Sequence, residues 1–317
     1  MGAALMSGVE GDAALEGRFP GPLAGIELGG TKCVCTLATS PSEIVDQRTV
    51  DTRAPSETLP AILDILHEWQ RAHGVAGIGI GSFGPLDLDP RSPRYGQILA
   101  TAKPHWPGTD VRAILSAPFG VPVGFDTDVN GAALAEMRWG CARGLIDFAY
   151  VTVGTGVGVG LIVHGAPTRG IGHSEVGHLR VPRAPGDDVP SACPFHDDCI
   201  EGLASGSALR MRLGGRDIDA VGPDDPVWDP IVHALTGMCH ALVCTTGPLR
   251  IAIGGGVPSR QPQLLPRIEA ALRASLNGYM DLPEGGPYIV APELATLAGP
   301  LGSVALALDA VVAAQTR

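Results

Sequence analysis

Four side chains in one short stretch have the chemistry of metal ligands. Cys193, His196 and Cys199 recur at three-residue intervals in Cys193-Pro-Phe-His196-Asp-Asp-Cys199, and His178 precedes a loop rich in glycine and proline. Two thiolates and two imidazoles make a closed tetrahedral set for zinc, and a set with no open position implies a structural ion. The competing reading is two buried cysteines and two surface histidines. Glu175 stands three residues before His178, and Glu201 two after Cys199. A bound ion would draw these carboxylates together, where they suit the hydroxyls of a polyol or sugar; otherwise they form a solvated face. On that arrangement, loss of the ion strikes sugar binding first and spares the rest.

Two glycine-rich turns carry a second kind of chemistry. Gly29-Gly30-Thr31-Lys32 joins two expected strands, and Gly154-Thr155-Gly156 joins two more. Glycine lets backbone approach an anion closely, and successive N–H groups form a nest for phosphate oxygens. Either alone is readable as an ordinary hairpin turn. The pair, each opening what could be one half of the molecule, could clamp the phosphates of a nucleotide. Between the turns, Asp126-Thr-Asp128-Val-Asn130 falls at a strand-to-helix junction, where one carboxylate could take a proton from an alcohol. Helix capping by Asp126 or Asp128 is the plainer use of the same residues.

Three literal motif matches fail on context. Gly79-Ile-Gly81-Ser-Phe-Gly84 is followed by Pro85 and Asp87, not by the helix a dinucleotide site needs. The run from Asp126 opens like a calcium loop, but its twelfth position is Met137 in place of the bidentate glutamate. Gly25 to Lys32 has threonine before lysine, the reverse of a P-loop, and leads into a strand.

The elements that must position these residues are strands and helices in alternation. Apolar runs predict strands at Leu23–Leu28, Cys33–Leu37, Val75–Ile80, Ile98–Thr101, Val121–Phe125, Phe148–Val153, Val157–Val163, Ile251–Ile253 and Tyr288–Val290. Helical spacing predicts a helix from an N-cap at Ser56 to Gly74, and others at Asn130–Trp139, Pro226–Cys244, Gln263–Leu276 and Leu301–Ala314. The expected class is α/β with mixed sheets.

Asp plus Glu number 33 against 22 Lys plus Arg, a net charge of −11, which argues against holding nucleic acid by its backbone. The longest apolar runs, Val151–Val163 and Leu301–Ala314, fall short of the ~18 residues of a membrane span. Glu10, Asp12 and Glu16 make the start acidic, unlike a signal peptide, so a cytoplasmic location is expected. The seven cysteines then read as reduced thiols or ligands.

These motifs together resemble the ROK sugar kinases, within the two-domain actin/hexokinase-like ATPase fold, and most nearly their zinc-containing fructokinase branch. The resemblance runs from about Leu23 to Ala314. It rests on Gly25–Lys32, Ser82–Asp87, Thr101-Ala-Lys-Pro-His-Trp106, Thr127–Glu136, Thr152–Gly160, Ser174–His178, Cys193–Ser205 and Ile253-Gly-Gly-Gly256. It implies that Gly29, Gly30, Thr31 and Lys32 with Gly154, Thr155 and Gly156 bind ATP phosphates. Gly254, Gly255 and Gly256 would line the adenosine pocket, and Asp128 would be the general base. Asn130, Glu175, His178 and Glu201 would contact the sugar, while His178, Cys193, His196 and Cys199 would hold zinc. Glu27 stands where many members have aspartate, and Thr127 where many glucose-specific members have asparagine. The second departure weakens a glucokinase reading.

The expectation is thus a loose leader over residues 1–22 and an N-terminal α/β domain over 23–125, to which 299–317 return. A C-terminal domain with the zinc loop would span 126–298, across a cleft. The implied reaction is ATP- and Mg²⁺-dependent phosphorylation of D-fructose to fructose 6-phosphate by a homodimer with no nucleic-acid or membrane partner. Mannose, glucose or an N-acetylhexosamine are alternative acceptors, and a non-catalytic sugar sensor is the alternative of another class.

Overall fold

The computed structural model describes residues 17–316. The expected leader lies mostly outside them. Of its described part, Phe19 is buried and its N–H donates to the Thr39 carbonyl at 2.8 Å. The chain forms two compact units: the residues up to Gly131 together with those from Gly299 onward, and Ala132–Ala298. Asp126 to Gly131 group with the first unit, although the expected division fell before them.

In the first unit β1 (Leu23–Leu28), β2 (Lys32–Ser40) and β3 (Glu43–Asp51) form an antiparallel meander. After α1 (Pro55–His73), β4 (Gly77–Ser82) joins the free side of β1 in parallel, and after α2 (Val111–Ser116), β5 (Val123–Thr127) extends the sheet to the order β3-β2-β1-β4-β5. α3 (Asp128–Trp139) begins directly at the end of β5. The second unit repeats the plan. β6 (Phe148–Val153), β7 (Val157–Val163) and β8 (Ala166–Pro167) form the meander. α4 (Ile200–Ala204), α5 (Gly206–Leu213) and α6 (Trp228–Thr245) lead to β9 (Ile251–Gly254), parallel to β6. α7 (Gly256–Arg260), α8 (Leu264–Leu276) and β10 (Ile289–Val290) complete the order β10-β9-β6-β7-β8. The chain ends in α9 (Ala298–Gln315). Both glycine-rich turns therefore join the first two strands of equivalent sheets.

β4 reads Gly-Ile-Gly-Ile-Gly-Ser, and the period of two sorts these residues to opposite faces. Ile78 and Ile80 join Ile26 and Leu28 in a core that takes in Leu59, Ile62, Leu66 and Trp69 of α1. The other face is bare backbone. Gly25, Gly79 and Gly124 stand side by side across β1, β4 and β5, and α9 lies directly on them. A Cβ at Gly79 would stand 1.8 Å from the Ser303 carbonyl oxygen, and one at Gly124 2.1 Å from that of Leu306. By length and composition the helical stretch Ala295–Gln315 could cross a bilayer, contrary to the shorter run expected, but most of it is buried inside this fold.

Three local expectations change. α1 starts at Pro55 behind Ala54, and Ser56 is not its cap; the Thr58 hydroxyl takes the Arg53 N–H at 2.9 Å instead. Ile98–Thr101 contributes only a bridge from Ile98 to Leu86, in a loop anchored by buried Trp106, whose Nε1–H donates to the Arg53 carbonyl at 2.8 Å. β3 and the short helices α2, α4, α5 and α7 are additional.

The glycine row makes a direct stability prediction. Gly79→Ala forces backbone apart along α9 and is expected to cost about 1–3 kcal/mol or more, as for an overpacked core. Gly222→Ala, where a Cβ meets nothing within 4 Å, should change stability by less than about 0.5 kcal/mol. Urea midpoints of the two variants measure the difference.

Candidate functional site

The glycine face of the first sheet ends in acid. Glu27, Gly81 and Asp126 are register neighbours across β1, β4 and β5, one step beyond Gly25, Gly79 and Gly124 on the same face. Next to them Asp128 opens α3. A Cβ at Gly81 would stand 3.2 Å from the Asp128 Cα, so glycine there admits the start of the helix. A Cβ at Gly299 would fall 2.1 Å from Glu27 Oε1, which puts that carboxylate at the first turn of α9, where helix N–H groups favour negative charge.

Capping of α3 is done by neither aspartate. The Thr127 hydroxyl accepts the Asn130 N–H at 3.1 Å, the N-cap bond. Asp126 Oδ1 accepts from the Thr127 N–H and from Asn130 Nδ2, both at 2.7 Å. Asp128 Oδ1 takes the N–H of Val129 at 2.9 Å. Burial pushes the Asp128 carboxyl up to about 6. Glu27 is pushed up to about 7, first by burial and then by the charge of Asp128, with Lys32 opposing. Asn130 is itself buried, and its Oδ1 has no protein partner among the described residues.

The Gly29–Lys32 turn is closed by the Gly29 N–H on the Lys32 carbonyl at 3.1 Å and tied down by the Thr52 hydroxyl on the Gly29 carbonyl at 2.7 Å. Gly30, Thr31 and Lys32 are exposed. Lys103 Nζ donates to the Gly30 carbonyl, a second cation at this turn. In the sequence Lys103 stands out only as the lone cation of Thr101–Trp106.

In the second unit the Gly154 N–H closes its turn on the Gly156 carbonyl at 2.9 Å, and Thr155 is exposed at the tip. Gly255, at φ 95°, lies against the end of β6, where a Cβ would stand 2.6 Å from the Val153 backbone. Gly254–Gly256 thus come up beside the Gly154–Gly156 turn. Glu201 lies behind that turn: its Oε2 accepts the Val157 N–H at 3.1 Å. Glu175 instead lies 3.5 Å from His173 Nδ1.

The four expected metal ligands converge, with one donor atom from each all within 4.8 Å of one another. Cys193 Sγ lies 3.7 Å from the Nδ1 atoms of both His178 and His196, and Cys199 Sγ 3.9 Å from His178 Nδ1. Zn–S and Zn–N bonds at the tetrahedral angle require S···N separations of roughly 3.6 Å. The sulfurs also accept backbone amides, Cys193 from Phe195 at 3.4 Å and Cys199 from Gly202 at 3.3 Å. Burial pushes the Cys199 thiol up to about 11, and a cation would supply the charge that holds it as thiolate. The donor set therefore fits a closed zinc site, and His178 has Nε2 left over. All seven cysteines are free thiols.

One buried acid of the quoted motifs is structural. Glu136 accepts the N–H groups of Cys141, Glu293 and Leu294 at 2.8, 3.2 and 2.9 Å, tying the end of α3 to the turn after β10.

A family model described as ROK family matches residues 23–310. The fructokinase of Pediococcus pentosaceus is 40% identical over 291 residues, which cover 91% of this chain and 98% of that one. The fructokinase of Zymomonas mobilis is 40% identical over 290 residues, 90% of this chain and 96% of that one. The solved ROK hexokinase of Thermus thermophilus matches with a TM-score of 0.73 at 28% identity, over 93% of this chain and 100% of that one. The fold is that of the actin/hexokinase-like ATPases. Within it, the chain belongs to the ROK family.

The acid pair has a pH signature. Glu27 ionises near 4.5 when unfolded and near 7 when folded. Between those values the unfolded state gives up its proton first, so this group lowers stability as pH rises through that window, and the loss levels off above it. Glu27→Gln should therefore gain stability relative to the wild type as pH rises from 4.5 to 7. Denaturant midpoints of both proteins across that range measure it; a constant difference would contradict the raised carboxyl.

Proposed function

We propose that the protein is an ATP-dependent hexose kinase whose acceptor is D-fructose and whose product is fructose 6-phosphate. The observation that carries this reading is Asp128: a carboxyl raised to about 6 by burial and relieved of capping by Thr127. It is ionised at neutral pH yet basic enough to accept a proton as an alcohol becomes a nucleophile. The 40% identity to fructokinases over nine-tenths of the chain supports fructose as acceptor.

The sugar hydroxyl gives its proton to Asp128 as its oxygen bonds to the γ-phosphorus. The bond from that phosphorus to the bridging oxygen breaks, and ADP leaves with the electron pair. Such transfer asks chiefly for positioning and charge neutralisation, to which Mg²⁺ bound with ATP contributes. Gly29 and Gly154 close the two turns with their own N–H groups. The turns Gly29–Thr31 and Gly154–Gly156 hold phosphate oxygens through the N–H groups of Gly30, Thr31, Thr155 and Gly156, with Lys32 adding charge, while Gly254–Gly256 line the adenosine pocket. Asn130, through its unpartnered Oδ1, and Glu175, His178 and Glu201 hold sugar hydroxyls. His178 would offer Nδ1 to zinc, which leaves Nε2 for the sugar. Cys193, His196, Cys199 and His178 would hold zinc as a structural ion that orders their loop. Reduced thiolate ligands and the use of ATP suit the cytoplasm.

An ADP-release assay with fructose, mannose, glucose and N-acetylglucosamine tests the acceptor. Fructose is expected to give the highest kcat/KM, by at least about tenfold, the discrimination of ~1.4 kcal/mol. A higher kcat/KM for any of the other three would reassign the substrate, and no ADP release with any sugar would support a sensor.

A further inference from the structure

The metal cluster and the Gly154–Gly156 turn are joined through one residue, Val157. Cys199 caps α4, with its sulfur on the Gly202 N–H at 3.3 Å. The first turn of that helix carries Glu201, whose Oε2 takes the Val157 N–H at 3.1 Å. Gly156 has no room for a side chain, because a Cβ would stand 2.3 Å from the same oxygen. On the side of the other ligand, Gly177 precedes His178 in a short helical turn. A Cβ there would stand 1.9 Å from the Val157 carbonyl oxygen. The Val157 N–H is thus bonded, and its carbonyl closely approached, by residues that neighbour the candidate metal ligands. Downstream of α4, the Gly206 N–H donates to the Gly154 carbonyl at 2.7 Å, and the Ser207 hydroxyl to that of Thr155 at 2.9 Å.

We propose that the metal cluster and Glu201 form a strut that sets the Gly154–Gly156 turn, so that metal occupancy governs affinity for the nucleotide. The inference rests on the reading of this turn as a nucleotide-phosphate site. It reverses the expectation that metal loss strikes the sugar alone. Phosphate recognition by backbone N–H groups depends on their mutual direction, and a turn free to relax loses that direction. Glu201 is here a positioning residue, acting through Val157. A carboxylate bond to an amide is charge-assisted, which makes it suited to this task.

The test compares wild type, Glu201→Ala, Glu201→Gln and chelator-treated wild type by amide hydrogen exchange and by ADP binding calorimetry. In Glu201→Ala and in the stripped protein, the segment containing Val157 should exchange at least about tenfold faster and ADP should bind about tenfold more weakly. Glu201→Gln keeps an oxygen that can accept the Val157 N–H and should restore both. Strand β9 should exchange as in wild type, which separates a loosened turn from an unfolded protein. Wild-type exchange at Val157 in Glu201→Ala would overturn the strut, as would faster exchange with unchanged ADP affinity. A wild-type protein that bound no ADP while exchange still responded to Glu201→Ala would count against the turn as the nucleotide site.

Discussion

The seating of α9 on bare backbone is the constraint on which the first unit depends. Gly25, Gly79 and Gly124 remove every side chain from one stripe of the sheet, and the Ser303 and Leu306 carbonyls occupy the space. The helix therefore begins at the carboxyl end of β1, β4 and β5, with Gly299 against Glu27. Two carboxyls, Glu27 and Asp128, are then held in a shared low-dielectric corner. Their raised ionisation follows from the packing, and the packing from the glycines. Thr127 completes the arrangement by capping α3, which releases Asp128 from the task its position would otherwise give it.

In the second unit the corresponding turn is supported by different means. Where Gly29–Lys32 is held by Thr52 and Lys103, Gly154–Gly156 is held by Glu201, Gly206 and Ser207. Those three follow the last metal ligand closely in sequence. The loop before them has little apolar content, so its order rests on hydrogen bonds such as the Ser191 hydroxyl on the His196 carbonyl at 2.6 Å, to which a bound ion would add ligation. A structural ion held there would stand beside the turn proposed to hold phosphate, where it could influence chemistry in which it takes no direct part.

The legible parts of the fold are those whose physics is local. The hairpin of β6 and β7 is readable to the residue because two apolar runs flank one glycine turn. The grouping of His178, Cys193, His196 and Cys199 is readable from type and spacing alone. β3 is hidden because its half-buried positions include Asp46 and Arg48, which bond to Trp69 and Glu68 and break the apolar alternation. Capping by Thr127 is hidden because two aspartates flank it and compete for the same role. Glu201 is visible as an acid near the metal, but its bond to Val157 spans 44 residues, and no local pattern encodes it.

Asp128 as the single base is tested most directly by the pH dependence of kcat/KM for fructose in wild type and Asp128→Asn. The wild-type value should fall below about pH 6, where the buried carboxyl takes up its proton. Asp128→Asn should be slower by about 10²–10⁴-fold and lack that limb. An Asp128→Asn enzyme that kept both the rate and the acid limb would contradict the account.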